Sequence, residues 1–263
     1  TLDYNFVDYK NDNLNNLYKV EQSTIAYDNQ RYLQSGTYNI NTFKVDYIHT
    51  FKDNFNWSLG VKYSTFETDN DLNLFVQNTN GDFDFDTNQS NRFLVDEDIL
   101  AFYSKASYTY KKWSFSGGLR WEESETKGIS KNPQQTKSRN ISKFFPSASV
   151  VSKINDKISA SLSYSYRIDR PSYNSLNSFV YFYDPFTFEE GNPNLRPSFT
   201  DSFQFNLTHN ERPFFTIGYK NTTDTLFELI TQDDASAQSS RTIINLAENR
   251  NWNFRAFGPL NFL

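Results

Sequence analysis

Apolar and polar side chains alternate with a period of two along most of this chain, and that pattern limits it more than any other feature. The clearest run sets Ile158, Ala160, Leu162, Tyr164, Tyr166 and Ile168 against Ser159, Ser161, Ser163, Ser165, Arg167 and Asp169. Successive side chains of an extended strand point to opposite faces, so one face here is greasy and the other wet. Trp57, Leu59, Val61 and Tyr63 stand in the same way against Ser58, Gly60, Lys62 and Ser64, and Phe203, Phe205 and Leu207 against Ser202, Gln204 and Asn206. No segment of comparable length carries a helical stripe at i, i+3, i+4 and i+7. Unbroken apolar runs reach only about five residues, as from Phe179 to Tyr183, far short of the ~20 residues a membrane-spanning helix needs. The reading is all-β, with about ten strands near 1–11, 37–51, 56–68, 93–110, 113–125, 140–154, 158–169, 199–209, 214–230 and 240–256.

The connections alternate in length. Tight ones are predicted at Lys52–Phe55, Lys111–Lys112, Asn155–Lys157 and Asn210–Pro213, and long polar ones at 12–36, 69–92, 126–139, 170–198 and 231–239. A soluble sandwich has no reason to lengthen every second loop. A transmembrane β-barrel has short turns on its periplasmic side and long loops outside. The physical basis is backbone satisfaction, because hydrocarbon offers no partners to an open sheet edge and strands therefore span it only in a closed barrel. Aromatics make up 18% of the chain, and Phe51, Phe55, Trp57, Tyr110, Trp113, Phe115 and Phe214 gather at the tight-turn end, at the depth where rings favour the headgroup layer.

Composition excludes several function classes. With 26 Lys+Arg against 31 Asp+Glu the chain is no basic nucleic-acid-binding domain, so no nucleic-acid partner is expected. It has no cysteine and only His49 and His209, which removes disulfides, thiol nucleophiles, thiolate zinc and His-rich metal sites. No cofactor is expected. Asp82, Asp84 and Asp86 alternate in one loop and offer oxygen ligands of the kind Ca²⁺ takes, but the spacing alone is weak evidence and a solvated acidic loop is the plainer account. Asp96, Glu97 and Asp98 form a rim cluster able to pair with Arg92 and Arg120. Both histidines fall at the tight-turn end, away from any outer-rim catalytic site, and no enzyme activity is expected. No Walker loop, dinucleotide turn or serine elbow is present.

The run Arg167-Ile168-Asp169-Arg170-Pro171-Ser172-Tyr173, followed by Asp184-Pro185 and Gly191-Asn192-Pro193-Asn194-Leu195-Arg196-Pro197, resembles a signature of TonB-dependent outer-membrane receptors. In detail it is similar to the Bacteroidetes-type outer-membrane β-barrel family. Many relatives carry an acidic residue after the second proline of that motif, where Ser198 stands here. The resemblance implies an antiparallel meander of about ten strands that forms part of a larger barrel in the bacterial outer membrane. It also implies an energising TonB-type partner acting through a plug domain, which is not represented among these residues. Residues 1–263 then form a single barrel region that starts at Thr1 as a mature or excised piece, with a further strand expected after the turn at Gly258-Pro259.

Its partners would be outer-membrane lipid and a bulky transported nutrient: a glycan, a peptide or a metal chelate. Pro171, Pro185, Pro193 and Pro197 predict that 170–198 is an ordered loop without strands. The candidate ligand contacts are Tyr173, Tyr181, Tyr183 and Phe186 on that loop, with Arg167 and Arg120 on the lumen wall; packing of the loop against its neighbours or the barrel wall is the plainer account of the rings. Two other readings share the alternation. One is a self-contained ten-stranded outer-membrane adhesin or hydrolase, and the other a soluble extracellular carbohydrate-binding β-domain.

Overall fold

The computed structural model describes residues 1–18, 29–51, 54–184 and 186–258. One sheet carries ten long strands and a short hairpin: β1 (Leu2–Leu17), β2 (Gln30–Phe51), β3 (Phe55–Gln77), β4 (Phe83–Tyr110), β5 (Trp113–Lys131), β6 (Gln134–Lys153), β7 (Ile158–Asp169), β8 (Val180–Asp184), β9 (Thr187–Glu190), β10 (Ser198–His209), β11 (Arg212–Asp233) and β12 (Gln238–Ala256). A one-turn helix, α1 (Tyr173–Leu176), precedes β8. The ten long strands form an antiparallel meander. The hairpin is added at its far end, with β9 parallel to β12 through Ser239↔Thr187 and Thr242↔Glu190.

The tight turns follow local chemistry. Asn210 (φ 48°) and Glu211 (φ 65°) adopt the left-handed conformation that a two-residue hairpin turn requires. Asn155 accepts from the backbone N–H groups of Lys157 and Ile158 at 2.9 and 2.8 Å, fixing the next turn. Lys52 and Asp53 of the expected first turn, and Pro259 of the expected final one, lie outside the described residues.

Most of the predicted long loops are strand. The hairpins β2–β3, β4–β5 and β5–β6 run on in register far beyond the predicted ends, through pairs such as Leu33↔Asn73 and Ile129↔Thr136, and β11–β12 runs on by a few residues to Asp233↔Gln238. Among the described residues only 170–197 is a long connection that leaves the meander. It is also not free of strand, since β8 and β9 lie within it; Pro185 falls outside the described residues. The backbone N–H groups of Phe186 and Thr187 donate to Asp184 Oδ1 at 2.7 and 2.9 Å, which turns the chain there without a long loop.

Alternation changes sense along each strand. In the halves near the tight turns the apolar residues face outward with no layer over them. Leu59, Phe102, Leu119, Leu162 and Phe203 are all exposed on that face, and Leu162 keeps 51% of its surface. The band runs from Phe55 to Tyr63 on β3; about nine tilted residues at ~3.3 Å each span roughly 20–25 Å, close to the apolar band of outer-membrane barrels. Rings edge it, with Phe51 5.5 Å from Phe55 and Trp113 stacked on Phe115 at one border, and Phe102 stacked on Trp121 toward the other. In the halves beyond the band the apolar residues face inward: Leu72, Leu74, Phe93 and Val95 are buried, while Asp69, Asp71 and Asn73 take the outer face.

The buried core lies on this inner face. One cluster joins Phe93, Val95, Leu176 and Leu195, with Tyr173, Leu226 and Ile243 packed against it; a second joins Tyr32, Leu72 and Leu74 with Phe179 and Phe182. Both use segment 170–197 as the second layer. The β8–β9 hairpin pairs with β12 and also reaches β1, where Asn15 Nδ2 donates to the Tyr181 hydroxyl at 2.9 Å. One short hairpin touches strands at opposite ends of the sheet, so the sheet curls into a trough and the segment braces it. Among the described residues β1 and β12 do not pair with each other.

Candidate functional site

The inward-folded segment and the wall it docks on form the best-built polar assembly of the molecule. It starts at the end of β7, where Pro171 ends the ladder and the chain turns into the trough. Arg170 then lies between two buried carboxylates, Glu97 of β4 and Glu122 of β5. Its Nε donates to Glu97 Oε1 at 3.2 Å, and its Nη2 to Glu122 Oε1 at 2.5 Å and to Ser124 Oγ at 3.2 Å. Tyr173 donates its hydroxyl to the other oxygen of Glu97 at 2.7 Å. Burial, and then this bond, push the Tyr173 phenol above its ordinary pKa. A carboxylate in such a site is tolerated only when paired and hydrogen-bonded, and both Glu97 and Glu122 are.

The second half of the segment is held by the Gly-Asn-Pro motif. A Cβ on Gly191 would lie 1.8 Å from the Asn177 carbonyl oxygen, so only glycine permits this backbone crossing. Asn192 ties the crossing to both sides: its backbone N–H donates to Ser175 O at 2.7 Å and its Nδ2 to Ile243 O on β12 at 3.1 Å. Leu195 fills the core with no exposed surface. The Arg139 guanidinium donates to the Leu195 carbonyl, and burial lowers the pKa of that arginine. Arg196 closes the segment with a 2.6 Å contact to Asp224 of β11.

The six candidate contacts fall in three places. Tyr173 is committed to Glu97, with its ring 6.4 Å from Phe66. Tyr181 and Tyr183 come together edge to face at 5.1 Å; Tyr181 also lies 6.0 Å from Tyr32, while the half-exposed Tyr183 donates to Glu189 at 2.6 Å. Phe186 sits in the hairpin turn, where its carbonyl accepts from Ser239 N at 2.6 Å. Arg120 and Arg167 stay on the wall below. Arg120 is bound to Glu122 and lies 5.9 Å from the Tyr103 ring; Arg167 lines an open polar concavity of about 620 Å³ with Asp169, Lys105 and Lys220.

Other expected groupings do not form. Arg92 pairs with Asp69 at 2.5 Å and leaves the Asp96–Asp98 cluster, and Asp98 accepts instead from Tyr63 at 2.8 Å. Glu97 turns inward to Arg170. Asp84 binds Asn78 Nδ2 at 3.0 Å, and Asp86 caps the N–H groups of Asn88 and Gln89; among the described residues no three His, Cys, Asp or Glu converge on a metal position. His49 lies against Phe51 at the tight-turn end, 4.1 Å between rings.

The greasy band, the inner wet wall and the trough agree with one family. The outer membrane protein beta-barrel family matches residues 1–263. The chain belongs to that family. Its place is therefore the outer membrane, and the outward band is its lipid contact. Among solved structures, the copper transporter OprC superposes with a TM-score of 0.65 at 13% identity, covering 96% of this chain and 39% of OprC. The ferric citrate transporter FecA in its unliganded form gives 0.53 at 12%, covering 96% and 36%. FauA, the alcaligin outer-membrane receptor of Bordetella pertussis, gives 0.50 at 13%, covering 88% and 37%. At such identities these likenesses concern the fold, and the chain spans well under half of each structure. No curated protein matches it significantly.

Membership in the outer membrane family explains two further concavities. Grooves of about 560 and 480 Å³ on the outer face are lined by Tyr108, Leu162 and Phe203, and by Leu59, Phe102 and Phe144. They face lipid. Sequence reasoning missed Glu97 as a partner of Arg170, together with Asn192 and Leu195. A signal existed, because Glu97 shares the parity of Phe93 and Val95, which face inward.

Proposed function

We propose that the chain forms part of the wall and the outer mouth of a TonB-dependent uptake receptor for a bulky nutrient, a glycan, a peptide or a metal chelate. The observation that carries this reading is segment 170–197, folded into the trough and held by Arg170, Tyr173 and Asn192, where it narrows the outer opening. The sheet edges support the larger barrel, since among the described residues nothing pairs with the outer edge of β1 or of the lower half of β12 at the depth of the greasy band, and hydrocarbon does not tolerate such edges. The solved relatives named above are described as transporters or receptors, two for metals or metal chelates, which favours uptake over catalysis. In this reading Tyr181, Tyr183 and Phe186 meet the arriving nutrient at the mouth, and an energising partner acts through a plug domain.

Growth of cells lacking the protein, on single sources of each nutrient class, tests the proposal. Growth should fail on one class, return with the intact protein, and fail again when the inner-membrane energising complex is removed. Unchanged growth on every class, or rescue without that complex, would contradict it.

A further inference from the structure

The docked segment does not meet the wall everywhere. Over the inner face of β4, β5 and β6, beyond the greasy band, a pocket of about 160 Å³ lies between them. Its middle is the cross-strand row Val95, Gly128 and Lys137, where the glycine leaves the space that a side chain would fill. Phe93 and Val95 make the floor, and Leu176 and Pro193 of the segment make the roof. Floor and roof both come from this chain, and the three strands lie inside the sheet, away from its two ends. The walls of the pocket need no further strand.

Its interior is apolar. Phe93, Val95 and Leu176 are buried, and the hydroxyls beside them are already engaged: Thr126 donates to Glu97 Oε1 at 3.0 Å and Ser130 to Asn91 Oδ1 at 3.2 Å. The mouth differs. Lys137, Ser138 and Asn194 are the exposed members of the lining, and among the described residues β6 has no strand beside it there, because it pairs with β7 only from Ser147 to Lys153. The Arg139 guanidinium is turned to the Leu195 carbonyl. Among the described residues the Lys137 ammonium has neither an ion pair nor a hydrogen bond, so it is the free cation of the mouth.

An apolar cavity of about 150 Å³ holds a benzene ring. A ring in this pocket buries apolar surface against Phe93, Val95 and Leu176, and a carboxylate attached to it reaches the mouth, where Lys137 can donate a charge-assisted hydrogen bond. We infer that the pocket is a binding site for a small apolar carboxylic acid, its ring inside and its carboxylate at Lys137. Wall and segment each supply one side, so an occupant ties the two together and stabilises the docked state. The site depends on the docked segment and stands apart from the uptake reading.

The test uses the protein purified from outer membranes in detergent and titrated calorimetrically with benzoate. Benzyl alcohol, a ring without charge, and acetate, a charge without ring, are the controls. Benzoate should bind more tightly than either, and it should slow hydrogen exchange at the Leu176 and Leu195 amides. Lys137→Gln should weaken benzoate about tenfold and leave benzyl alcohol unchanged. Gly128→Leu fills the pocket and should abolish binding of both. A Cβ at that position stands 3.3 Å from the Phe93 ring, so this variant is first checked for folded migration on unheated gels; the exposed Lys137→Gln decides the matter if it does not fold. Benzoate binding no tighter than acetate, as expected of a void that holds only water, would overturn the inference. So would binding that Lys137→Gln leaves unchanged, or binding that leaves exchange of the segment unaltered, since the ligand would then lie elsewhere. Failure of the uptake reading, through unchanged growth on every nutrient class, would leave this binding intact.

Discussion

The two halves of each long strand obey opposite rules. On β3, Leu59, Val61 and Tyr63 point out with Lys62 and Ser64 inside, whereas Leu72 and Leu74 point in with Asp71 and Asn73 outside. Side-chain direction alternates without a break, so what changes is the solvent on each side. Near the tight turns oil lies outside and water within. Beyond the band water lies outside, and the inner face has to make its own dry core, for which segment 170–197 supplies the second layer. The first half draws its stability from lipid and the second from packing, and a substitution of one chemical type should therefore behave differently in the two.

The largest expected effect is at the brace of the outer half. Arg170→Met leaves the buried carboxylate of Glu97 without an ion pair and that of Glu122 with Arg120 alone, each only about 5% exposed. Docking of the segment should lose about 3–5 kcal/mol. Hydrogen exchange should show the amides of 171–197 opening while those of the band halves of β3 to β5 stay protected. Equal loosening of both halves would erase the distinction.

A matched pair sharpens the comparison next. Leu162→Arg places a charge on the lipid face and should cost about 2–4 kcal/mol in a bilayer folding titration. Asn73→Arg, outward on β3 but above the band, should stay within ~0.5 kcal/mol. Similar costs at the two positions would place them in one solvent.

The smallest effect concerns Tyr173, whose hydroxyl bond to Glu97 is worth about 1–2 kcal/mol of docking. Burial and that bond raise the phenol's pKa above its unfolded value near 10. Its contribution is thus complete below about pH 10 and is lost as pH climbs from there toward the raised folded value. Tyr173→Phe should loosen the segment modestly at neutral pH and remove the alkaline part of its opening, read by exchange or protease sensitivity between pH 8 and 11.

The same comparison explains what the residues alone disclosed. In the band halves, greasy and wet residues alternate in the usual outward sense, and all ten long strands were legible there. In the outer halves, stretches such as Asp69-Asn70-Asp71-Leu72-Asn73-Leu74 are rich in turn-forming Asn and Asp and read as loop. Those residues are simply the water-facing side of a strand whose Leu72 and Leu74 turn inward. The hairpin β8–β9 was hidden because Phe179 to Tyr183 is aromatic without alternation, and its pairing with β12 is set by the docked segment as a whole. Of the candidate contacts, Tyr181 and Tyr183 meet, whereas Tyr173 holds the segment in place. The motif residues that suggested a receptor prove to be anchors: Arg170 between two carboxylates, Gly191 against the Asn177 carbonyl, and Leu195 in the core.

The most direct test of the two-solvent account uses single cysteines on β3, introduced into a chain that has none, spin-labelled in bilayer vesicles and probed with lipid-soluble oxygen and a water-soluble nickel chelate. Labels replacing Leu59 and Val61 should relax with oxygen, those replacing Asp71 and Asn73 with nickel, and one replacing Leu74 with neither. Oxygen contact persisting to position 73, or nickel reaching position 59, would contradict the account.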